Sequence, residues 1–574
     1  MLRISMWLFL GVLLALSSTV SVVRANEEAN LEKTFKADYD AGMASDDFQR
    51  RESAVKGLRD KPFKIVGDLA LYAVAQETLK NKTDHSVMRE ALSVIANLKN
   101  AEAVSTICKA IDKDTLKLGN FVRGRLLRAV GETKTDDAMN SILAAFKEKD
   151  QTMQLAAIDA AGFFGFKGRD KTKERVFAIL KDSKTPRNVL ICALGAIGQI
   201  CKVENTKDTQ DNDVVEFLIK MLADAEDSIG NDARKALMAI TGTDQGEDAQ
   251  PWSDWWYSGR FAAERAATGG GDSGKGAEVK GGGRTFTKKP NKRVYGQRID
   301  KRSVFILDVS KSMLEPLQNI PDIKSRIEYE RKRSQGPITG GEKGGASPKK
   351  EDEDKGDSKK KGRDQDKSPG GDNKKDLDWE KIKIKWDLAS QELINTIESL
   401  DDSYSFALIF FSTQIEPWKD GKIEKATKEH RDAAVAAIRK YNPLGDTNTY
   451  GALMAGLNCV ADKGVNERLK DPKNAGGNTT GRPEPKIEKE MIEKGAQAIY
   501  FITDGTPTNG EITDPMEIRA RIAEFNATRK VKINTFYVGD PIRGQHHGYG
   551  LLQWLADDSG GVFVDLLKRD ANEQ

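Results

Sequence analysis

The sequence predicts two architectures in series: an all-α solenoid, then an α/β domain built on a doubly wound, mainly parallel sheet. Two observations carry that expectation. Residues 45–260 repeat a pattern of small and apolar side chains at helical spacing. Residues 301–567 alternate short apolar runs with amphipathic stretches once two polar insertions are set aside. At 574 residues the chain exceeds what one hydrophobic core usually supports, so more than one domain is expected.

Composition narrows the class. Hydrophobic residues make up 38% of the chain and charged residues 31%, with a formal net charge of +3. Basic runs are answered by acidic ones, which argues against a nucleic-acid-binding surface. The start of the chain reads as an export signal over residues 1–25. Arg3 supplies the positive charge, Met6 to Leu16 is almost wholly apolar, and Val23-Arg24-Ala25 offers small residues where a signal peptidase cuts. The expected location is the periplasm, the cell envelope or the extracellular space. An uncleaved N-terminal anchor is the competing reading and the one route to membrane association. Cys108, Cys192, Cys201 and Cys459 form no C-x-x-C pair, so neither zinc nor a disulfide scaffold is signalled, and small buried apolar roles are expected.

The repeat is explicit. Ala54-Val55, Ala91-Leu92, Leu126-Leu127, Ala157-Ile158, Ala193-Leu194 and Ala236-Leu237 recur every 31 to 43 residues. Each pair is followed, three residues on, by Leu58, Ile95, Val130, Ala161, Ile197 or Ile240, and three copies continue with Gly131, Gly162 and Gly198. Further amphipathic stretches lie between them, at Ala101–Ile111, Ala138–Glu148, Glu174–Asp182 and Val214–Asp224. Helix pairs at this period imply a solenoid in which each unit buries its apolar face on the next. The pattern resembles HEAT repeats. Trp252, Trp255 and Trp256 at its end are expected to cap it rather than to bind a ligand.

Residues 266–291 are rich in Gly and Lys and read as a flexible linker. Gly269 through Gly274-Lys275 matches G-x-x-x-x-G-K there, but Gly276 stands in place of the Ser or Thr and no strand precedes it, so no nucleotide cradle is expected. A charged insertion spans about 335–378. Its segment Lys349–Lys375 holds ten basic and eight acidic side chains in 27 residues and no large apolar one, which predicts disorder. A second polar insertion, 462–489, is expected to be a surface loop.

Within 301–567 the expected strands are Ser303–Asp308, Ser405–Phe411, Ala498–Thr503, Ile533–Val538 and Val562–Val564. The expected helices are Lys385–Leu400, Thr427–Tyr441, Tyr450–Val460, Pro515–Ala527 and Leu551–Asp557. The apolar run Val304–Leu307 suits an inner parallel strand, and Asp308-Val309-Ser310-Lys311-Ser312 follows where it ends. Ligands of open α/β sheets gather at such carboxyl ends. One carboxylate and two hydroxyls at alternate positions suit a hard divalent cation, although a strand-to-helix turn can use the same residues simply as caps. Two later loops match the first: Leu444-Gly445-Asp446-Thr447 before a helix, and Thr503-Asp504-Gly505 after a strong strand.

With these three motifs in order, residues 301–567 resemble a von Willebrand factor type A domain with its metal-ion-dependent adhesion site. The resemblance implies that Ser310, Ser312 and Thr447 touch the cation through hydroxyl oxygens, while Asp308 and Asp504 hold it largely through bound waters. Magnesium is the expected ion, with manganese or calcium as alternates. Asp446 departs from the family pattern, standing where its second Gly usually falls. A cation held by neutral hydroxyls stays electrophilic, so the expected partner is a protein presenting an Asp or Glu carboxylate.

Catalysis is not expected from these motifs. An aspartyl-nucleophile phosphatase wants a second Asp where Ser310 stands, and Asp504-Gly505-Thr506 reverses the D-T-G order of an aspartic protease. His546 and His547 lack nearby partner ligands in the sequence. The expected function is therefore exported, cation-dependent protein binding for adhesion or assembly. A non-catalytic accessory subunit of an envelope enzyme complex is the alternative.

Overall fold

The computed structural model describes residues 30–79, 85–202, 212–225, 227–257, 292–317, 320–333, 377–461, 464, 485–539 and 547–566. The export signal, the linker 266–291 with its G-x-x-x-x-G-K stretch, residues 335–376 of the charged insertion, most of the loop 462–484, His546 and the side chain of His547 lie outside that description. Among the described residues no helix is long and apolar enough to cross a membrane. The chain divides into two compact units, with the boundary between Lys202 and Val203.

Among its described residues the first unit is built of helices joined by short connections, with no strand. Residues 30–43 (α1) are followed by Phe48–Lys56 (α2), Ile65–Leu79 (α3), His85–Ala96 (α4), Ala101–Lys113 (α5), Gly119–Glu132 (α6), Asp136–Ala145 (α7), Gln151–Phe164 (α8), Arg169–Lys181 (α9) and Arg187–Ile200 (α10). Each alternate helix packs on the next, α4 on α6, α6 on α8 and α8 on α10. The repeating sequence positions face this interior: Val55, Leu58, Ile95, Leu127, Val130, Ala157, Ala161, Leu194 and Ile197 are buried. Close approach explains the small residues. A Cβ on Gly131 would lie 2.9 Å from the Ala160 carbonyl oxygen, and one on Gly162 would lie 3.0 Å from Ala196 Cα. Polar residues stop and start the helices. Asn100, Thr135 and Asp150 accept the orphan amides at the beginnings of α5, α7 and α8.

The second unit begins with Asn212–Asp224 (α11), Ile229–Thr241 (α12) and Ala249–Tyr257 (α13), so the last repeat helices belong compactly with the sheet. Trp252 and Trp255 are buried edge-to-face, and Trp252 Nε1 donates to the Gly246 carbonyl at 2.8 Å. A short antiparallel hairpin follows, Arg293–Val294 (β1) with Gln297–Arg298 (β2). Both of its arginines reach Glu247, at 3.0 and 3.3 Å.

The main sheet contains Arg302–Asp308 (β3), Ser405–Phe411 (β4), Ile415–Pro417 (β5), Glu424–Lys425 (β6), Ala498–Thr503 (β7), Lys532–Tyr537 (β8) and Phe563–Asp565 (β9), in the order β5-β4-β3-β7-β8-β9 with β6 also paired to β4. From β4 to β9 every pairing is parallel; β5 and β6 are antiparallel trim on β4. Their pairing was not expected, because two- and three-residue strands carry no readable alternation. The helices are Ile320–Arg333 (α14), Lys385–Ser399 (α15), Lys428–Lys440 (α16), Thr449–Leu457 (α17), Pro485–Lys494 (α18), Pro515–Phe525 (α19) and His547–Ser559 (α20).

Alternate residues of β3 feed two cores. Phe305 and Leu307 pack with Tyr500, Ile502, Leu388, Leu393 and Ile438. Val304 and Ile306 pack with Ile409, Phe501, Leu453, Ile518 and Leu555 on the other face. Burial on both faces is why β3 and β7 read as unbroken apolar runs. One expectation needs correction at an insertion edge. The loop expected over 462–489 becomes helical from Pro485. The insertion expected over about 335–378 gives way to the core at Leu377, which is buried. Asn526, just after the helix Pro515–Phe525, is buried, its side-chain amide donating to the Val531 carbonyl and accepting from the Val531 amide.

The amino-terminal ends of the strands are occupied. Lys532, the first residue of β8, places its Nζ 2.6 Å from Asp232 and donates to the Ser228 carbonyl at 2.8 Å. Ser228 Oγ donates to Asp300, just ahead of β3. The carboxyl ends are left to loops.

Candidate metal centre

Parallel pairing of β3 with β4 and β7 brings the segments after Asp308, Phe411 and Thr503 to one edge of the sheet. Backbone hydrogen bonds then join them. The Val309 amide donates to the Phe411 carbonyl at 2.8 Å, Leu444 to Val309 at 2.7 Å, and Lys311 to Gly445 at 3.0 Å. The Asn448 amide donates to Ser412, and Thr508 donates to the Thr447 carbonyl, both at 3.0 Å. Gly445 has φ +92°, and a Cβ there would sit 2.8 Å from Thr413 Oγ1. Glycine is therefore required by both conformation and space.

Asp308 is fully buried. Its Oδ1 accepts from the Ser310 amide at 2.8 Å and its Oδ2 accepts from Thr503 Oγ1 at 2.5 Å. Burial, and then the nearby charge of Asp504, push its carboxyl up to about 7. Ser310 Oγ and Ser312 Oγ are 3.0 Å apart, and Ser312 Oγ donates to Asp504 Oδ1 at 2.7 Å. Thr447 is buried, its amide donating to Thr508 Oγ1 at 3.0 Å. Its own Oγ1 lies 3.6 Å from where a Gly505 Cβ would stand, next to Asp504. All five residues named from the sequence thus lie on one connected set of loops. Asp446 is exposed, and its amide donates to Thr413 Oγ1.

Sequence reading missed three participants. Thr503 orients Asp308, and Thr508 holds Thr447. The third is Lys385, whose Nζ donates to Asp504 Oδ2 and to Glu315 Oε2, both at 2.7 Å. Its side chain is 7% exposed, against 48% for Glu315. Burial lowers the affinity of this ammonium for its proton, but Asp504 and Glu315 outweigh that and hold it above the ordinary lysine range. One signal was available: Lys385 opens α15, and a cation at a helix amino terminus opposes the helix dipole unless anions answer it.

The donor set is all oxygen, two carboxylates and three hydroxyls, which suits a hard cation such as magnesium. Among the described residues no three His, Cys, Asp or Glu side chains gather as a metal cage.

No family model matches the chain. Among curated proteins it is similar to inter-alpha-trypsin inhibitor heavy chain H1 of Mesocricetus auratus, 26% identical over 129 residues. That stretch is 22% of this chain and 11% of the relative, so the chain spans about a tenth of the length of the protein it matches. The likeness is weak and local.

Proposed function

We propose that this chain is an exported, non-catalytic protein that binds a partner through a divalent cation, magnesium first. The carbon-end loops would form a metal-ion-dependent adhesion site of the von Willebrand factor type A kind. The observation that carries this reading is the linked series of side chains from Ser310 through Ser312 to Asp504, beside the Asp308–Thr503 pair, at the carboxyl ends of adjoining parallel strands.

Ser310, Ser312 and Thr447 would hold the ion directly, with Asp308 and Asp504 behind them through water. A cation so held supplies an electrophilic position for an Asp or Glu carboxylate of the partner. The chain's own residues prepare that position. Thr503 fixes one oxygen of Asp308, the Ser310 amide fixes the other, and the backbone bonds between loops keep Thr447 beside Asp504. The weakly similar relative is named as the heavy chain of an inhibitor, which sits more easily with binding than with catalysis. The helical repeats would add a second contact surface.

The test is a pull-down from the native source with the full chain and its Asp308→Ala variant, each in magnesium and in chelator. A partner retained only by wild type in magnesium supports the proposal. Equal recovery in all four conditions overturns it.

A further inference from the structure

The loops proposed to take a dication already hold a positive charge. Lys385 Nζ lies 2.7 Å from Asp504 Oδ2, while Ser312 Oγ takes Asp504 Oδ1, so both oxygens of this buried carboxylate are in use. The ammonium is delivered there by backbone structure rather than by a free side-chain excursion. The Lys385 amide donates to the Glu315 carbonyl at 3.1 Å, the Leu317 amide donates to Lys383, and Pro316 and Ile384 form an antiparallel bridge. The strip just after the first motif is thereby fastened to the start of α15.

Two positive centres cannot both be neutralised by one buried carboxylate at this range without repulsion. A second anion stands ready for the displaced one: Glu315, half exposed at the rim and already 2.7 Å from the same Nζ.

We propose that Lys385 is an internal counter-ion that competes with the divalent cation for Asp504, and that metal uptake transfers its ammonium from Asp504 to Glu315. This rests on the cation-binding reading above. The consequence is a site tuned to be weaker for metal than its oxygen donors alone would make it, and one in which metal occupancy and the exposure of Lys385 rise together.

Calorimetric titration of the full chain with magnesium chloride, and separately with manganese chloride, tests the competition. Lys385→Met should bind at least about tenfold more tightly than wild type, the order expected on removing a like charge a few ångströms away. Lys385→Arg, which keeps the charge, should stay near wild type. A second measurement needs no substitution: acetic anhydride labelling read by mass spectrometry should modify Lys385 faster in magnesium than in chelator. If wild type takes up metal and Lys385→Met binds no more tightly, the competition is wrong while the cation site stands. If Lys385→Met does not fold, equal labelling of Lys385 in the two conditions overturns the proposal. If neither wild type nor variant takes up metal, both readings fall.

Discussion

Thr503 and Asp308 meet hydroxyl to carboxylate, 2.5 Å apart, across the ends of two adjoining parallel strands. Asp308 is thereby aimed by the strand that also delivers Asp504. Replacing Thr503 by Val keeps the shape but leaves Asp308 Oδ2 without its donor in a buried place. The expected cost is about 1–3 kcal/mol by urea denaturation of the metal-free protein. Weaker magnesium uptake should accompany it, read by calorimetry.

The raised Asp308 carboxyl gives a pH dependence with a definite sign. It titrates at about 7 in the metal-free fold and at about 4 in an unfolded chain. The folded state therefore keeps the extra proton between those values, and the stability it brings is lost as pH rises through 7. Cation uptake needs the carboxylate, so below pH 7 the apparent magnesium affinity should fall by up to about tenfold per pH unit, levelling off above. Titrations at pH 5.5, 6.5 and 8 would show this slope, and Asp308→Asn should lose the proton release.

Gly445→Ala should disturb the loop that carries Thr447. The residue sits at positive φ, and its new methyl group would press on Thr413 Oγ1. A loss of about 1–3 kcal/mol is expected. Metal uptake should drop further than in a matched exposed substitution such as Asp446→Ala.

Lys532→Met breaks a buried ion pair and removes the cation 2.6 Å from Asp232. Destabilisation of about 3–5 kcal/mol is expected in chemical denaturation. Lys532→Met combined with Asp232→Leu should recover most of it, which separates the loss of pairing from a loss of packing.

Much of this architecture was legible because its strands are buried on both faces. Ser405–Phe411 and Ala498–Thr503 have the bounds the sequence implied, since an unbroken apolar run flanked by polar residues has readable edges. The helical repeat was legible through Gly131 and Gly162, whose lack of a side chain marks where helices touch. What escaped depends on distant partners. Lys385 and Asp504 are 119 residues apart, Thr503 and Asp308 are 195 apart, and neither pairing leaves a local periodicity. The antiparallel strips Ile415–Pro417 and Glu424–Lys425 escaped because they are too short to alternate. Helix Pro485–Lys494 escaped because its polar composition resembles that of a loop.

The contacts of Glu247 with Arg293 and Arg298, together with those of Asp232 with Lys532, join residues on either side of the Gly- and Lys-rich stretch without any covalent bond. Cutting the peptide chain there should not release the helices Asn212–Asp224, Ile229–Thr241 and Ala249–Tyr257 from the sheet. The nicked pieces should elute as one species on gel filtration and part company only in denaturant.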